Sequence, residues 1–203
     1  YVALEKYDAA IEDYTIALTK DEKIARAFAG RGTAYFVSDL PDKAKIDFDQ
    51  ALALDQTIAE AHYGLGNIKF DVEDYAGAIP DYDKAIASNS SVSGYFMDRG
   101  DAYYMTKEYN KAIDDFTSTL KLDPANAKAY VFRGDAKDEL GQSNEALDDY
   151  LKALEINPNY GLAYYNLGVA KQRLKDNAGA CEAFKKAAEL GSESTKSFAA
   201  YCK

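Results

Sequence analysis

The sequence contains no tryptophan, one histidine, two cysteines and four prolines in 203 residues. The histidine, His62, has no nucleophile or acid beside it that would make it a catalytic base. No cluster of Cys and His has the spacing of metal ligands, and no glycine-rich phosphate loop is present. The sequence therefore predicts no enzyme active site and no cofactor.

Basic residues are also in deficit, with 24 Lys and Arg against 34 Asp and Glu and a net charge of −10. This balance argues against non-specific binding to nucleic acid or to an anionic membrane surface, and favours a basic or neutral partner. No apolar run approaches the roughly 20 residues that a membrane span needs. With 47% hydrophobic residues, the chain is nevertheless expected to fold.

A period of 34 residues dominates the sequence. The tetrapeptide RGDA begins at Arg99 and again at Arg133, and RGTA begins at Arg31. Rows of 34 residues align without a gap when they start at Ala25, Ala59, Ser93, Ala127 and Gly161. Position 8 of each row is then glycine, position 20 is alanine and position 24 is aromatic. Such a period indicates an array of one repeated structural unit.

The spacing within a row predicts two helices. Positions 4, 8 and 11 fall on one face of a first helix, and positions 20, 24 and 27 on one face of a second. Glycine at position 8 and alanine at 20 allow an antiparallel pair to approach closely. Pro124 and Pro158 follow second helices and end them, whereas Pro80 falls near the start of one and should disturb it without ending it.

Glycine at 8, alanine at 20, an aromatic at 24, alanine at 27 and proline at 32 resemble the tetratricopeptide repeat. The resemblance implies an all-α solenoid of antiparallel helix pairs with a right-handed superhelix, forming a single array over 1–203. It comprises a partial repeat, five full repeats and a C-terminal capping helix: 1–24; 25–58, 59–92, 93–126, 127–160 and 161–194; 195–203. Proline at position 32 occurs in two rows only, and His62 replaces an aromatic at position 4.

Both Arg-Gly-Asp sequences fall in the middle of first helices in this register. Arg99 and Arg133 occupy position 7 of their rows. Aspartate recurs at position 23 of the row, on the second helix, as in Asp115 and Asp149. We interpret the arginines as structural partners of those aspartates. A cell-adhesion loop is a poor alternative, because it would require an exposed turn.

The resemblance implies a non-enzymatic scaffold that binds a peptide or protein partner on a concave face lined by the first helices. Aromatic and acidic residues at the family's contact positions favour a basic or apolar-basic peptide, although some of these aromatics could instead pack between repeats. The residues expected to bind the peptide are Tyr63, Asn67, Phe70, Met97, Asp101, Tyr104, Asp135, Asp138, Tyr165 and Asn166. The family's carboxylate clamp is set aside, because position 5 never holds lysine and the groove centre is acidic.

Two alternatives remain open at this point. The chain could be the regulatory or targeting portion of a larger enzyme or secretion assembly, because the first repeat is cut at Tyr1. It could also associate with itself through the helices exposed at either end of the array.

The two cysteines lie near the end of the array. Cys181 falls at position 21 of its row and Cys202 at position 8 of the next, on faces that should pack together. They are either two buried thiols or a disulfide that fastens the cap. The C-terminal stretch resembles that of bacterial tetratricopeptide proteins, many of them exported. A disulfide would favour the periplasm or cell surface over the cytoplasm.

Overall fold

Helices account for all regular secondary structure in the computed structural model, which describes residues 2–192 and Cys202, with side chains from Lys6 onward. Within these residues there are eleven helices: α1 Val2–Lys20, α2 Ala25–Val37, α3 Pro41–Leu54, α4 Ala59–Asp71, α5 Tyr75–Ser88, α6 Ser93–Met105, α7 Tyr109–Leu122, α8 Ala127–Glu139, α9 Ser143–Ile156, α10 Gly161–Arg173 and α11 Asn177–Glu189. The predicted all-α fold of helix pairs is confirmed. The predicted capping helix 195–203 lies outside the described residues, apart from Cys202.

The helix boundaries follow the 34-residue period. The first helices α2, α4, α6, α8 and α10 begin at the five row starts, and each is 13 residues long. The second helices α3, α5, α7, α9 and α11 all begin 16 residues later. Because no row carries an insertion, equivalent side chains recur at the same place on each helix pair.

A close approach of backbone and ring holds the two helices of a pair together. A Cβ atom at Gly134 would lie 2.6 Å from Cε1 of Tyr150, and one at Gly66 would lie 2.6 Å from Cε1 of Tyr82. Real Cβ atoms do not approach that closely, so only glycine fits at position 8 opposite the aromatic of position 24. Ala78 and Ala146, at position 20, have no exposed surface, as expected for the close-packed interface.

Each first helix ends in the same turn. The residue at position 15 has a positive φ in all five rows: Asp39 59°, Glu73 63°, Lys107 64°, Gly141 77° and Lys175 66°. In the fourth row the N–H of Gly141 donates to the carbonyl of Asp138, and that of Gln142 donates to the carbonyl of Lys137. This pair of hydrogen bonds defines a Schellman motif, which closes the helix and reverses the chain.

Proline has the effects predicted for it. Helices α7 and α9 end two residues before Pro124 and Pro158. Pro80 lies inside α5, which continues to Ser88. Because proline has no N–H, it removes one main-chain hydrogen bond near the start of the helix without ending it.

The chain forms two compact units, Tyr1–Ala102 and Tyr103–Lys203. In the first unit α1 to α5 pack in chain order, and the first helices α2 and α4 also contact each other. In the second unit α7 to α11 pack in chain order, and the first helices α8 and α10 contact each other. None of the helices in the described part of the chain combines the length and apolar character needed to cross a membrane.

Ion pairs link the first and second helices of a repeat at the predicted positions 7 and 23 in the first and fourth rows. Arg133 binds both carboxylate oxygens of Asp149, with Nε–Oδ2 and Nη2–Oδ1 distances of 3.0 and 2.5 Å. Arg31 binds Asp47 in the same way, at 2.7 and 2.9 Å. Arg99 donates at 2.6 Å to Oδ1 of Asp83, which lies at position 25 of the preceding repeat. The Arg99 and Arg133 side chains are each 18% exposed within helices, so neither Arg-Gly-Asp sequence forms a displayed loop.

Candidate functional site

A pocket of about 290 Å³ opens in the second unit, where first helices of successive repeats come together. Most of its wall comes from α8 and α10, with one residue each from α6 and α9. It is lined by Tyr104, Asp135, Asp138, Glu139, Tyr150, Leu162, Tyr165, Asn166, Val169 and Arg173. Five of these residues were expected from the sequence to bind a peptide, namely Tyr104, Asp135, Asp138, Tyr165 and Asn166.

Asp135 lies at the centre of the hydrogen bonding in this pocket. Its Oδ1 accepts a hydrogen bond from the hydroxyl of Tyr150 at 2.8 Å and another from Nδ2 of Asn166 at 2.6 Å. Burial raises the pKa of Asp135 to about 7, outweighing the two hydrogen bonds, and the nearby Asp138 and Glu139 carboxylates raise it further. Asp135 therefore changes its charge near neutral pH.

Asp138 is bonded within the protein through both carboxylate oxygens. Oδ1 accepts from the hydroxyl of Ser143 at 2.6 Å, and Oδ2 lies 2.7 Å from Nη1 of Arg173. The same Nη1 atom donates to the main-chain carbonyl of Asp138 at 2.9 Å. Asp138 is only 7% exposed, and Arg173 compensates its buried charge. This ion pair joins α10 to α8.

Two tyrosines of the pocket, Tyr104 and Tyr150, keep their phenolic protons at neutral pH. Burial raises the pKa of Tyr104 to about 12, and the Asp135 and Glu139 carboxylates add to this effect. Burial and the Asp135 carboxylate also raise the pKa of Tyr150. Because both phenols stay protonated, the negative charge of the pocket resides on its carboxylates.

The other five predicted peptide-binding residues belong to the first unit. Asn67 accepts a hydrogen bond from the hydroxyl of Tyr82 at 2.9 Å, and the Tyr63 hydroxyl donates to Asp98. Met97 is buried at 6% exposure, Phe70 packs against Tyr75 with ring centroids 5.0 Å apart, and Asp101 is half-buried on α6. The structure thus groups the ten predicted residues into a set of five in each unit.

Sequence reasoning assigned Tyr82 and Tyr150 to the core and missed their hydroxyl groups. Both rings are core residues at 1% exposure, but each hydroxyl reaches the side chain at position 9 of its own repeat. The signal was incomplete: among the five full repeats, tyrosine occupies position 24 only where position 9 is Asn67 or Asp135, but the third repeat combines Asp101 with a phenylalanine. Phenylalanine occupies position 24 in the other full repeats.

His62 is a buried residue of the first unit, as expected from its aromatic slot. Its Nε2 lies 3.0 Å from the main-chain carbonyl oxygen of Gln56. In the parts of the chain that the structure describes, no group of three or more His, Cys, Asp or Glu side chains is placed to hold a metal ion.

The cysteines near the C-terminus are joined. Cys181, half-buried on α11, forms a disulfide with Cys202, and their Cα atoms lie 5.4 Å apart. The bond connects residues separated by 21 positions in the sequence.

Family models match most of the chain. A model described as "Tetratricopeptide repeat" matches residues 1–57 and 63–127, and another with the same description matches 162–190. A model described as "TPR repeat" matches 134–175. The comparison with curated proteins finds no match.

Solved structures with the same fold include YrrB, described as a TPR protein with an unusual peptide-binding site. It is 22% identical, with a TM-score of 0.84, covering 95% of this chain and 100% of that chain. MamA is 25% identical with a TM-score of 0.74, and the match covers 81% of this chain and 96% of the MamA chain. The pilF protein of Pseudomonas aeruginosa is 21% identical with a TM-score of 0.72, and the match covers 85% of this chain and 78% of the pilF chain.

Proposed function

Because this chain belongs to the tetratricopeptide repeat family, we propose that it is a non-enzymatic scaffold that binds a peptide or protein partner along its first helices. The observation that carries the proposal is the pocket of the second unit. Its lining residues on α6, α8 and α10 all occupy positions 2, 5, 6, 9, 12 or 13 of their repeats, where family members contact ligands. The description of YrrB, which shares the fold, names a peptide-binding site.

The charge of the pocket favours a basic partner. Three carboxylates line it, from Asp135, Asp138 and Glu139 on α8, against the single cation of Arg173. Since Arg173 already compensates Asp138, two carboxylates remain for a ligand. Charge complementarity of this kind steers a basic partner to the site and disfavours an acidic one.

The walls of the pocket favour apolar contacts beside the basic group. Leu162 and Val169 contribute aliphatic surface from α10, and Tyr104 and Tyr165 contribute aromatic rings. Aromatic side chains provide large contact areas at small cost in conformational entropy, and they often dominate the energy of binding. A peptide in which lysine or arginine alternates with apolar residues fits this combination.

A peptide-array experiment with the intact protein tests the proposal. Wild-type protein should retain basic-apolar peptides in preference to acidic ones, and both Tyr104→Ala and Asp135→Lys should reduce retention at least tenfold. Asp148→Lys is the matched control, because Asp148 is exposed on α9 and does not line the pocket. Retention that is unchanged in both pocket variants, or a preference for acidic peptides, would contradict the proposal.

We also infer that the protein functions in an oxidising compartment, the periplasm or the cell surface of a bacterium. The support is the disulfide between Cys181 and Cys202, since such bonds form and persist mainly outside the reducing cytosol.

A further inference from the structure

We propose that the pocket of the second unit is a receptor for one primary ammonium group, such as the end of a lysine side chain, with Asp135 as its counter-ion. This inference rests on the proposed function and names the chemical group that the pocket selects. It is carried by the hydrogen bonding of Asp135, by a neutral counterpart in the first unit and by the acceptors that line the pocket.

Asp135 has no compensating cation among the described residues. Its Oδ1 accepts two hydrogen bonds, from Tyr150 and Asn166, and no described side chain or main-chain group donates to Oδ2. The cation of the pocket, Arg173, pairs with Asp138. Of the other basic residues on α8, Arg133 and Lys137 both bind Asp149, and the ammonium of Lys128 lies over the Phe132 ring. A carboxylate that lines a pocket with one free oxygen is a natural acceptor for a ligand cation.

The structural role of Asp135 does not require its charge. In the first unit Asn67 occupies the same repeat position and accepts the hydroxyl proton of Tyr82 at 2.9 Å. An asparagine in place of Asp135 would keep an Oδ1 acceptor for both Tyr150 and Asn166. The negative charge of Asp135 is therefore not needed for the hydrogen bond to Tyr150. We infer that its role is to bind a ligand cation.

The hydrogen bonds already made to Asp135 favour an ammonium over a guanidinium. The two-pronged bond of a guanidinium needs both oxygens of a carboxylate, but Oδ1 already has two donors. A compact ammonium has three donors and can bind Oδ2 of Asp135, the Glu139 carboxylate and the Tyr104 hydroxyl oxygen, which line the same pocket. The rings of Tyr104 and Tyr165 can cover its alkyl chain and add cation–π attraction.

Binding is expected to release a proton near neutral pH. The pKa of Asp135 is raised to about 7 by its surroundings, and a bound cation would lower this pKa again. The titratable and charged groups around it are Tyr104 on α6, Asp138 and Glu139 on α8, Tyr150 on α9, Tyr160 before α10, and Tyr165 and Arg173 on α10. Because only charged Asp135 binds well, affinity should fall about tenfold from pH 8 to pH 6.

The test is an NMR titration of the whole chain with n-butylammonium, observed at the side-chain amide of Asn166. We expect saturable shifts at pH 8, weaker binding of n-butylguanidinium and no saturable effect of n-butanol. Asp135→Asn should weaken n-butylammonium binding at least tenfold, whereas the control Asp148→Asn should leave it unchanged. The pH dependence of wild-type binding gives a second readout that needs no variant. Absence of saturation in the wild type, or equal binding by Asp135→Asn, would overturn the proposal.

Two peptides, each with a single ammonium group, then identify the source of the ammonium. One carries a single central lysine with its amino terminus acetylated, and the other has a free amino terminus and no lysine. If either peptide binds wild type and binds Asp135→Asn at least tenfold more weakly, the result supports the receptor and shows which ammonium group it takes. If array-selected peptides bind Asp135→Asn as tightly as wild type, the ammonium receptor is refuted and the scaffold function stands. If no peptide binds wild type, the scaffold function itself fails.

Discussion

Tyr82 and Tyr150 occupy the same position in two repeats, yet one donates its hydroxyl proton to an amide and the other to a carboxylate. Both rings are buried to 1% exposure, so the packing requirement is the same in each. The difference lies only in the acceptor, Asn67 or Asp135. A buried carboxylate costs more free energy than a buried amide unless a cation accompanies it, so Asp135 is expected to lower stability.

The first prediction concerns the variant Asp135→Asn. The pKa of Asp135 is raised from 3.8 to about 7 in the folded state. The folded protein therefore binds more protons than the unfolded chain between these values, and its stability falls as the pH rises through this range. The variant should be more stable than wild type at pH 8, on the order of 1–4 kcal/mol, and similar to it near pH 4.

Urea unfolding at both pH values measures this difference. Asp148→Asn serves as a control, because it removes the same charge from an exposed position on α9 and should leave the pH dependence of stability unchanged. Equal stability of wild type and Asp135→Asn at pH 8 would contradict the prediction.

Sequence reasoning predicted which side chains lie on the face of the first helices, but it could not predict how deeply each is buried. Tyr165 lines the pocket, whereas Met97 and Val131, at the same repeat position, are 6% and 0% exposed. Helical periodicity fixes the direction of a side chain. Its depth depends on the sizes of side chains in neighbouring repeats, and these change from one repeat to the next.

At the scale of elements, the turn after each first helix offers a matched pair of substitutions. Gly141 and Lys107 both occupy position 15 with positive φ, at 77° and 64°. A Cβ at Gly141 would have no atom within 4 Å, so only the backbone conformation matters there. We expect Gly141→Ala to cost on the order of 1 kcal/mol and Lys107→Gly to be neutral or stabilising.

Thermal unfolding of the two variants beside wild type checks this prediction. A loss of stability in Lys107→Gly as large as that in Gly141→Ala would show that position 15 is not limited by its left-handed conformation.

The disulfide provides a second prediction for the elements. Cys181 on α11 is bonded to Cys202, 21 positions later. On the chain-entropy model a loop of this size stabilises the folded state by roughly 3 kcal/mol. Reduction, or replacement of both cysteines by alanine, should therefore lower the melting temperature of the oxidised protein.

A thiol titration without added reductant measures the bond directly. Protein isolated from its native compartment should show no reactive thiol, folded or denatured. Two free thiols in both states would contradict the bond and remove the support for an oxidising compartment.

At the scale of the whole molecule, the fold was predictable because one local pattern is repeated in register. All ten helices from α2 to α11 begin at the same two positions of a 34-residue row. Any weak signal in one repeat is therefore supported by the others. The candidate site was less predictable, since it depends on side chains such as Asp135 and Arg173 that distinguish one repeat from the next.

The net charge of −10 leads to a prediction for binding by the whole molecule. The affinity for a basic peptide should fall as salt rises from low to physiological concentration and beyond, because screening shortens the range of attraction. Fluorescence anisotropy over a salt series measures it, with a neutral peptide of the same length as the control. A basic peptide whose affinity does not change with salt would contradict the electrostatic argument.

The equivalence of the Asn67–Tyr82 and Asp135–Tyr150 pairs has a genetic consequence. The codons for aspartate and asparagine differ by one base, and either residue accepts the tyrosine hydroxyl proton in this fold. A single transition is therefore enough to add or remove a charge at this position of a tyrosine-bearing repeat without breaking that bond. Mutation could alter which ligands such a repeat accepts in one step, while the helix pair beneath it stays intact.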